Sequence, residues 1–326
     1  MKRLIVTADD FGLSEAVNEA VERGHRDGIL TAASLMVAGP AAADAVRRAK
    51  SMPSLAVGLH LVVIEGPAVL HQAIAPGGQF PSEQFRLGVN YFFRPRARRQ
   101  LAAEIRAQFE AFAATGLPLD HANAHKHMHL HPTVGRLLID IGREFGLRAV
   151  RVPAEWASPS PYRLPSRTGR SQMTKNTPSC PRMRVSTTLR ATKEDVDTRI
   201  RGHDGGEILT LREGVGGGVG HRALFAWTRL LRRQARQAGL ATNDHCFGIR
   251  STGAMTAERL VQLAGTLPDG VSEIYLHPAA WRDERLVTLM PNYAHEAELA
   301  ALLDPAVRAA LAAHDVRLIA GYGALS

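Results

Sequence analysis

Short apolar runs alternate with longer amphipathic stretches along most of the chain. Arg3 to Ala8 is a compact apolar run that reads as a buried strand. Ser14 then offers an N-cap, and Ala16, Val17, Ala20 and Val21 form one helical face ending near Gly24. Ala33 to Ala38 predicts a second strand, followed by an alanine-rich helix to about Ala49, and Leu55 to Val62 predicts a third strand. Leu101, Ile105, Phe109 and Phe112 line a helix that leads into a strand near Leu119 to Ala124. Val134, Leu137, Leu138 and Ile141 mark the next helix, and Ala149 to Val152 the next strand. The alternation resumes with a helix over Ala223 to Ala238 and a strand over Ala241 to Ile249. Thr256 to Leu267 reads as a helix, Val271 to Leu276 as a strand, His295 to Ala313 as a helix and Val316 to Ala320 as a last strand.

Repeated strand–helix alternation argues for a parallel sheet covered by helices. The expected fold class is α/β: a (βα) barrel-like domain of seven to eight parallel strands with outer helices. In such barrels the site lies where strands end and the following loops begin. Two segments break the pattern. Gln84 to Arg99 holds Phe85, Leu87, Val89, Tyr91, Phe92 and Phe93, then Arg94, Arg96, Arg98 and Arg99, with no single clean face. Residues 155–213 are rich in Ser, Thr, Pro, Arg and Gly and poor in apolar periodicity, so an irregular or disordered insertion is expected there. The glycine run 214–220 follows; it lacks the Gly-Lys-Ser/Thr ending of a phosphate loop and reads as a hinge. The expectation is one domain over residues 1–326.

Composition narrows the class. The chain has 326 residues, 45% of them hydrophobic, enough for a sizeable core. No run reaches the roughly 18 to 20 apolar residues of a membrane-spanning helix. The opening Met1 to Val6 is basic and then apolar, but the run stops at Asp9 and Asp10, too soon for a signal peptide. Two cysteines, Cys180 and Cys246, exclude a disulfide framework and fit a cytoplasmic setting. The formal charge is +9, and only five of the 40 basic residues are lysines. Base-composition bias accounts for that as well as contact with an anionic membrane does. No nucleic-acid motif accompanies the charge, and no nucleic-acid partner is expected.

Candidate chemistry sits at predicted strand ends. Asp9 and Asp10 stand side by side where the first strand should stop. Two neighbouring carboxylates can divide labour, one binding a cation and the other taking a proton from water, although Asp-Asp-Phe-Gly is also good turn chemistry. His60 lies in Gly58-Leu59-His60-Leu61; a lone histidine in an apolar strand is more often a satisfied core residue than a ligand. The densest cluster is Asn123-Ala124-His125-Lys126-His127-Met128-His129-Leu130-His131-Pro132. In an extended conformation its four histidines would project one way. The pattern does not say which of them binds a metal; one ligand with several supporting partners is the favoured arrangement. His277, before Pro278 at another strand end, suits acid or oxyanion-stabilising work, or a structural role. A serine-hydrolase elbow is absent, and neither cysteine has the neighbourhood of a catalytic thiol.

These motifs together resemble those of the YdjC-like (ChbG-type) carbohydrate deacetylases: Thr7-Ala8-Asp9-Asp10-Phe11-Gly12-Leu13-Ser14, Gly58 to Leu61, Asn123 to Pro132, and Leu276-His277-Pro278. The resemblance covers roughly residues 1 to 153 and 220 to 320. It implies a barrel-like fold and hydrolysis of an N-acetyl group on a sugar. It assigns one divalent metal ion, Mg2+ or Zn2+, to Asp10, His60 and His125. It makes Asp9 the general base and His277 the candidate acid. Family members carry Asp-Ser-His-His-His-Val-His where this chain has Asn123-Ala124-His125-Lys126-His127-Met128-His129, which alters support around a ligand. A closer resemblance, through Asn-Ala-His-Lys-His and Asn243-Asp244 to Phe247-Gly248, is to the hopanoid-associated HpnK branch. That branch implies an N-acetylglucosaminyl hopanoid lipid as substrate. Phe92 and Phe93 ahead of the dense arginine run suit peripheral contact with a membrane, at its inner face, as well as they suit a loop that packs on the barrel and starts the Leu101 helix. The rivals are a soluble chitooligosaccharide deacetylase, a metal-dependent hydrolase of another bond, and a catalytically silent sugar- or lipid-binding protein.

Overall fold

The computed structural model describes residues 1–155 and 219–325. All of the predicted insertion at 155–213 beyond its first residue, Cys180 and most of the glycine run therefore lie outside the described residues. The strands are β1 (Lys2–Phe11), β2 (Ala32–Leu35), β3 (Ala56–Leu61), β4 (Ala122–Ala124), β5 (His245–Phe247), β6 (Gly270–Leu276) and β7 (Val316–Leu318). They form one sheet in the order β4-β3-β2-β1-β6-β5, with β7 on β1, and every pairing is parallel. Parallel bridges Ala122↔Val150 and Ala149↔Ala241 carry the pairing from β4 to the residues just before β5. The predicted strand over Ala149 to Val152 is thus reduced to single bridges, but it occupies the expected place. The fold is α/β and barrel-like.

The helices are α1 (Glu15–Arg26), α2 (Ala42–Lys50), α3 (Gln84–Phe93), α4 (Pro95–Ala114), α5 (Pro132–Glu144), α6 (Val219–Gln237), α7 (Ala257–Thr266), α8 (Glu284–Leu289), α9 (His295–Leu303) and α10 (Pro305–Ala313). Ser14 caps α1 as expected, its Oγ accepting from Val17 N at 3.4 Å. The stretch read as one helix from His295 to Ala313 is two. Pro305 has no amide hydrogen and opens α10, with Asp304 as its cap. The Gln84 to Arg99 segment, which showed no single clean face, forms α3 and the start of α4. Only Leu87 and Tyr91 of α3 are buried, one turn apart, which is why no broad apolar face was visible.

The core lies between the strands and the inner faces of the helices. Leu4, Val6, Ala8, Leu59 and Leu61 meet Leu101, Ile105, Phe109 and Phe112 of α4 and Val134 and Leu138 of α5 within it. Each large side chain fully buried there contributes about 1.5–3 kcal/mol. A second buried cluster, Ile5, Ala32, Ala149, Val271, Ile319 and Tyr322, is also present. Gly58 is needed for packing: a Cβ there would lie 2.5 Å from the His121 ring. Among the described residues no helix is long and apolar enough to cross a membrane.

Candidate metal centre

The site forms at the carboxyl ends of β1, β3, β4 and β6. Its first determinant is a defect in β1. Ala8 pairs with Ala33 and Phe11 with Leu35, so β1 spends one residue more than β2 over that interval. The bulge falls on Asp9 and Asp10, and Asp10 has φ 62°, in the left-handed region. A non-glycine residue held there costs about 1–3 kcal/mol, a strain typical of functional sites.

Asp10, His60 and His125 offer one ligand atom each, and these atoms lie within 4.8 Å of one another. Asp10 Oδ1 is 3.2 Å from His60 Nε2 and 3.3 Å from His125 Nδ1. Despite those distances neither carboxylate oxygen of Asp10 has an aligned hydrogen bond, and both are buried. Burial alone would raise the Asp10 carboxyl; the two imidazoles outweigh it and hold it well below the usual range. Burial likewise disfavours the charged form of His60, but Asp9 and then Asp10 raise its pKa.

Asn123 sets the His60 tautomer. Its Nδ2 donates to Asp9 Oδ1 at 3.0 Å and to Ser34 Oγ at 2.9 Å, so its Oδ1 is the acceptor 2.7 Å from His60 Nδ1. The Nδ1 hydrogen is engaged there, and Nε2 faces Asp10 as a lone pair when the ring is neutral. Three electron-rich atoms facing one another need a positive charge between them. The donor set fits a divalent cation by type, burial and spacing. Asn123 thus accepts from His60 while donating to Asp9 and Ser34, and so ties the candidate ligand to its neighbours.

Asp9 is wired differently. Its Oδ2 accepts from Arg151 Nη1 at 2.5 Å. Arg151 Nη2 donates to Glu273 Oε1 at 2.8 Å, and Glu273 also accepts from Thr7 Oγ1 and from Tyr322 OH, each at 2.6 Å. Burial raises the Asp9 carboxyl, but Arg151 and then His60 hold it well below the carboxylate range.

The histidine run is not extended. Residues His125–Leu130 form a short 3-10 turn in which Lys126 has φ 50° and His127 φ 54°. The coil sends the rings apart. Of the four, only His125 joins the cluster. His127 Nε2 lies 3.0 Å from Tyr275 OH, and burial pushes its pKa down to about 3. His129 Nε2 donates to Arg151 O at 3.0 Å. His131 packs between the rings of Tyr91, Phe92 and Trp227. An ion pair from Lys126 to Glu65 ties the turn to the loop after β3.

His277 follows β6, and its Nδ1 has no partner. Its amide donates to Glu298 Oε2 at 2.6 Å and its carbonyl oxygen faces His295 Nδ1 at 2.6 Å, so its backbone is pinned on both sides. Burial lowers its pKa, while Asp10 and Asp9 pull it upward. Arg151, Glu273 and Glu298 escaped the sequence reading. One arginine among so many carries no local mark, and single acids in apolar windows look like surface positions. Tyr275, on β6 two residues before His277, was findable by alternation.

A family model described as YdjC-like protein matches residues 3–313. A protein of Brevibacillus brevis named carbohydrate deacetylase is 36% identical over 154 residues, 47% of this chain and 59% of the relative. A carbohydrate deacetylase of Vibrio vulnificus is 38% identical over 146 residues, 44% of this chain and 56% of that one. One from Geobacillus stearothermophilus is 35% identical over 167 residues, 50% and 63%. The chain thus spans less than two thirds of the length of these curated relatives. A crystal structure from Enterococcus faecalis V583, of a protein provisionally named for cellobiose-phosphate cleavage, superposes with a TM-score of 0.65 at 18% identity over 100% of this chain and 99% of the other. That likeness shows the fold. The family match takes in all four strand-end motifs, and the chain belongs to the YdjC-like protein family.

Proposed function

We propose that this chain is a divalent-metal-dependent carbohydrate N-deacetylase acting on an acetylated amino sugar. The observation that carries the reading is the convergence of Asp10, His60 and His125 on one point, with Asp9 beside them on a separate hydrogen-bond network. The relatives named carbohydrate deacetylase support it. Asp10, His60 and His125 would hold a Zn2+ or Mg2+ ion, which would supply Lewis acidity toward the acetamide carbonyl and the attacking water. Asp9 is the general base. Arg151 and Asn123 each occupy one acceptor position on its oxygens, keep it ionised and aim it, and leave further lone pairs for a water proton. His277 is the acid, with its pinned backbone and unpartnered Nδ1. The water oxygen adds to the acetyl carbon and its proton passes to Asp9. The carbon–nitrogen bond then breaks, the amine takes a proton through His277, and acetate leaves.

The finer substrate reading is an N-acetylglucosaminyl hopanoid lipid. It is supported by the branch-like motifs, in which Asn243 bonds both backbone groups of Val152 beside Arg151. The test is mass spectrometry of acetylated chitooligosaccharides and of the glycolipid after incubation with enzyme and metal. Loss of one acetyl group with stoichiometric acetate is expected, suppressed by a chelator and restored by metal. Unchanged substrates in all arms refute the deacetylase reading. Turnover of the oligosaccharides but not the glycolipid refutes only the finer one.

A further inference from the structure

The exposed large apolar side chains are not scattered. Apart from Met1, those among the described residues lie in three places: the β3–α4 connection, α6, and the β6–α9 connection. The first and last of these leave the carboxyl ends of strands that carry His60 and lead to His277. On α3, Leu87 and Tyr91 face the core while Phe85, Val89, Phe92 and Phe93 face solvent, Phe85 being 87% and Phe93 70% exposed. Trp281, Val287 and Leu289 are the exposed members after β6. Phe92 packs 5.8 Å from the His131 ring, at the end of the turn that begins with His125. This apolar surface is therefore packed against the histidine turn whose first residue, His125, belongs to the candidate centre.

The charge around α3 is one-sided. Between Glu83 and Glu104 there are five arginines, Arg86, Arg94, Arg96, Arg98 and Arg99, and no acid. All five are exposed, and none is ion-paired to a described carboxylate. Four of them cluster at the start of α4, whose first turn has no acidic residue and whose N-cap makes no side-chain bond. Cations at a helix N-terminus oppose the helix dipole. They weaken α4; Arg98 Nη2 donates to Phe92 O at 2.5 Å, but none of these charges is neutralised by a described carboxylate, so an external anion is the natural partner of the cluster.

We infer that the α3 face and the start of α4 form a docking surface for an anionic lipid membrane, with the rings of α3 entering the interface and the arginines meeting lipid phosphates. A second copy of this chain is a poor occupant, because a symmetric contact would bring the two arginine clusters together. The inference concerns binding and does not depend on the reaction, so it can fail while the deacetylase reading stands.

The test is sedimentation of the full chain with vesicles of phosphatidylcholine alone or mixed equally with phosphatidylglycerol. Binding is expected to the anionic vesicles, to weaken as salt rises, and to be at least about tenfold weaker on phosphatidylcholine. Phe85→Ser with Phe93→Ser should reduce binding by about tenfold or more. Arg96→Gln with Arg99→Gln should do the same. Arg23→Gln with Arg26→Gln, which removes equal charge from the last turn of α1, should leave binding within about twofold of the parent, because only charges near the surface contribute. Should the phenylalanine pair lower the melting temperature, the arginine pair remains decisive, since it removes no apolar packing. Absence of binding at low salt overturns the inference. So does equal loss in the α1 variant, which would reduce the effect to net charge. A dimer in sedimentation velocity that the phenylalanine variant dissolves, without vesicle binding, would assign the face to a second copy instead.

Discussion

Two ends of the same mouth handle buried carboxylates in opposite ways. At the end of β1, Asp10 faces two imidazoles and has no aligned hydrogen bond on either oxygen. Below β6, Glu298 is equally buried but each oxygen takes a backbone amide, Met255 N at 2.9 Å and His277 N at 2.6 Å. Asp9 lies between the two cases, with an arginine and an amide as partners. A buried acid left short of hydrogen bonds among imidazoles is arranged to receive a cation. One that is saturated by backbone amides holds the chain in place. The contrast separates binding groups from positioning groups more sharply than burial does, since all three are buried.

The strongest way to break the contrast is to remove ligands. His60→Ala and His125→Ala should lose bound metal and lower turnover by about 10³-fold or more while the fold survives, because the group deleted is the one that fits an ion rather than a neighbour. Elemental analysis of the purified variants, beside their melting temperatures, gives the answer. Full metal content in either variant removes that residue from the ligand set. Asp9→Asn should be different in kind. Metal content should be unchanged and kcat should fall by about 10²- to 10⁴-fold, the usual range for loss of a general base. Normal turnover would leave Asp9 a purely structural anion.

The Asp9 side of the contrast has its own test. Arg151 is completely buried between Asp9 and Glu273, and its removal leaves two buried carboxylates without their cation. Arg151→Met should cost about 3–5 kcal/mol in urea unfolding. A loss under about 1 kcal/mol, the range of an exposed pair, would mean that the interior is wetter than the packing indicates.

The strand ends were legible because apolar runs stop on chemistry: Asp9 and Asp10 near the end of β1, His60 near the end of β3, His277 after β6. Ser14 and Pro305 are local signals, and the second was there to be used: a proline inside a helical pattern ends it. The shape of the histidine turn was not legible. Positive φ is uncommon for any non-glycine residue, Lys126 and His127 included, and distant contacts accompany the conformation: Glu65 to Lys126, Tyr275 to His127 and Arg151 to His129. The bulge at Asp10 is hidden for the same reason, since extra residues in a strand show only against its partner. The α3 helix hid because just two of its side chains reach the core.

The mildest effect concerns Glu298, and it reads the saturated end of the contrast through pH. Burial pushes this carboxyl up to about 7, only partly opposed by the amides of Met255 and His277. The unfolded chain releases the proton near 4.5 and the folded protein near 7, so between those values the folded state holds more protons. Stability from this group is therefore full below about pH 4.5 and is lost as pH rises toward about 7, by at most about 3 kcal/mol. Asp9 and Asp10 work with the opposite sign, but their folded pKa values lie so low that their contribution is complete by about pH 5 and flat above it. Glu298→Gln keeps an acceptor for one amide and does not titrate. Urea unfolding at intervals from pH 5 to 8 should show the parent losing stability across that window and the variant losing measurably less. Parallel curves for the two proteins would mean that Glu298 is ionised throughout. Its two backbone amides would then stabilise charge, as the imidazoles do for Asp10, and the division between the two ends of the mouth would no longer hold.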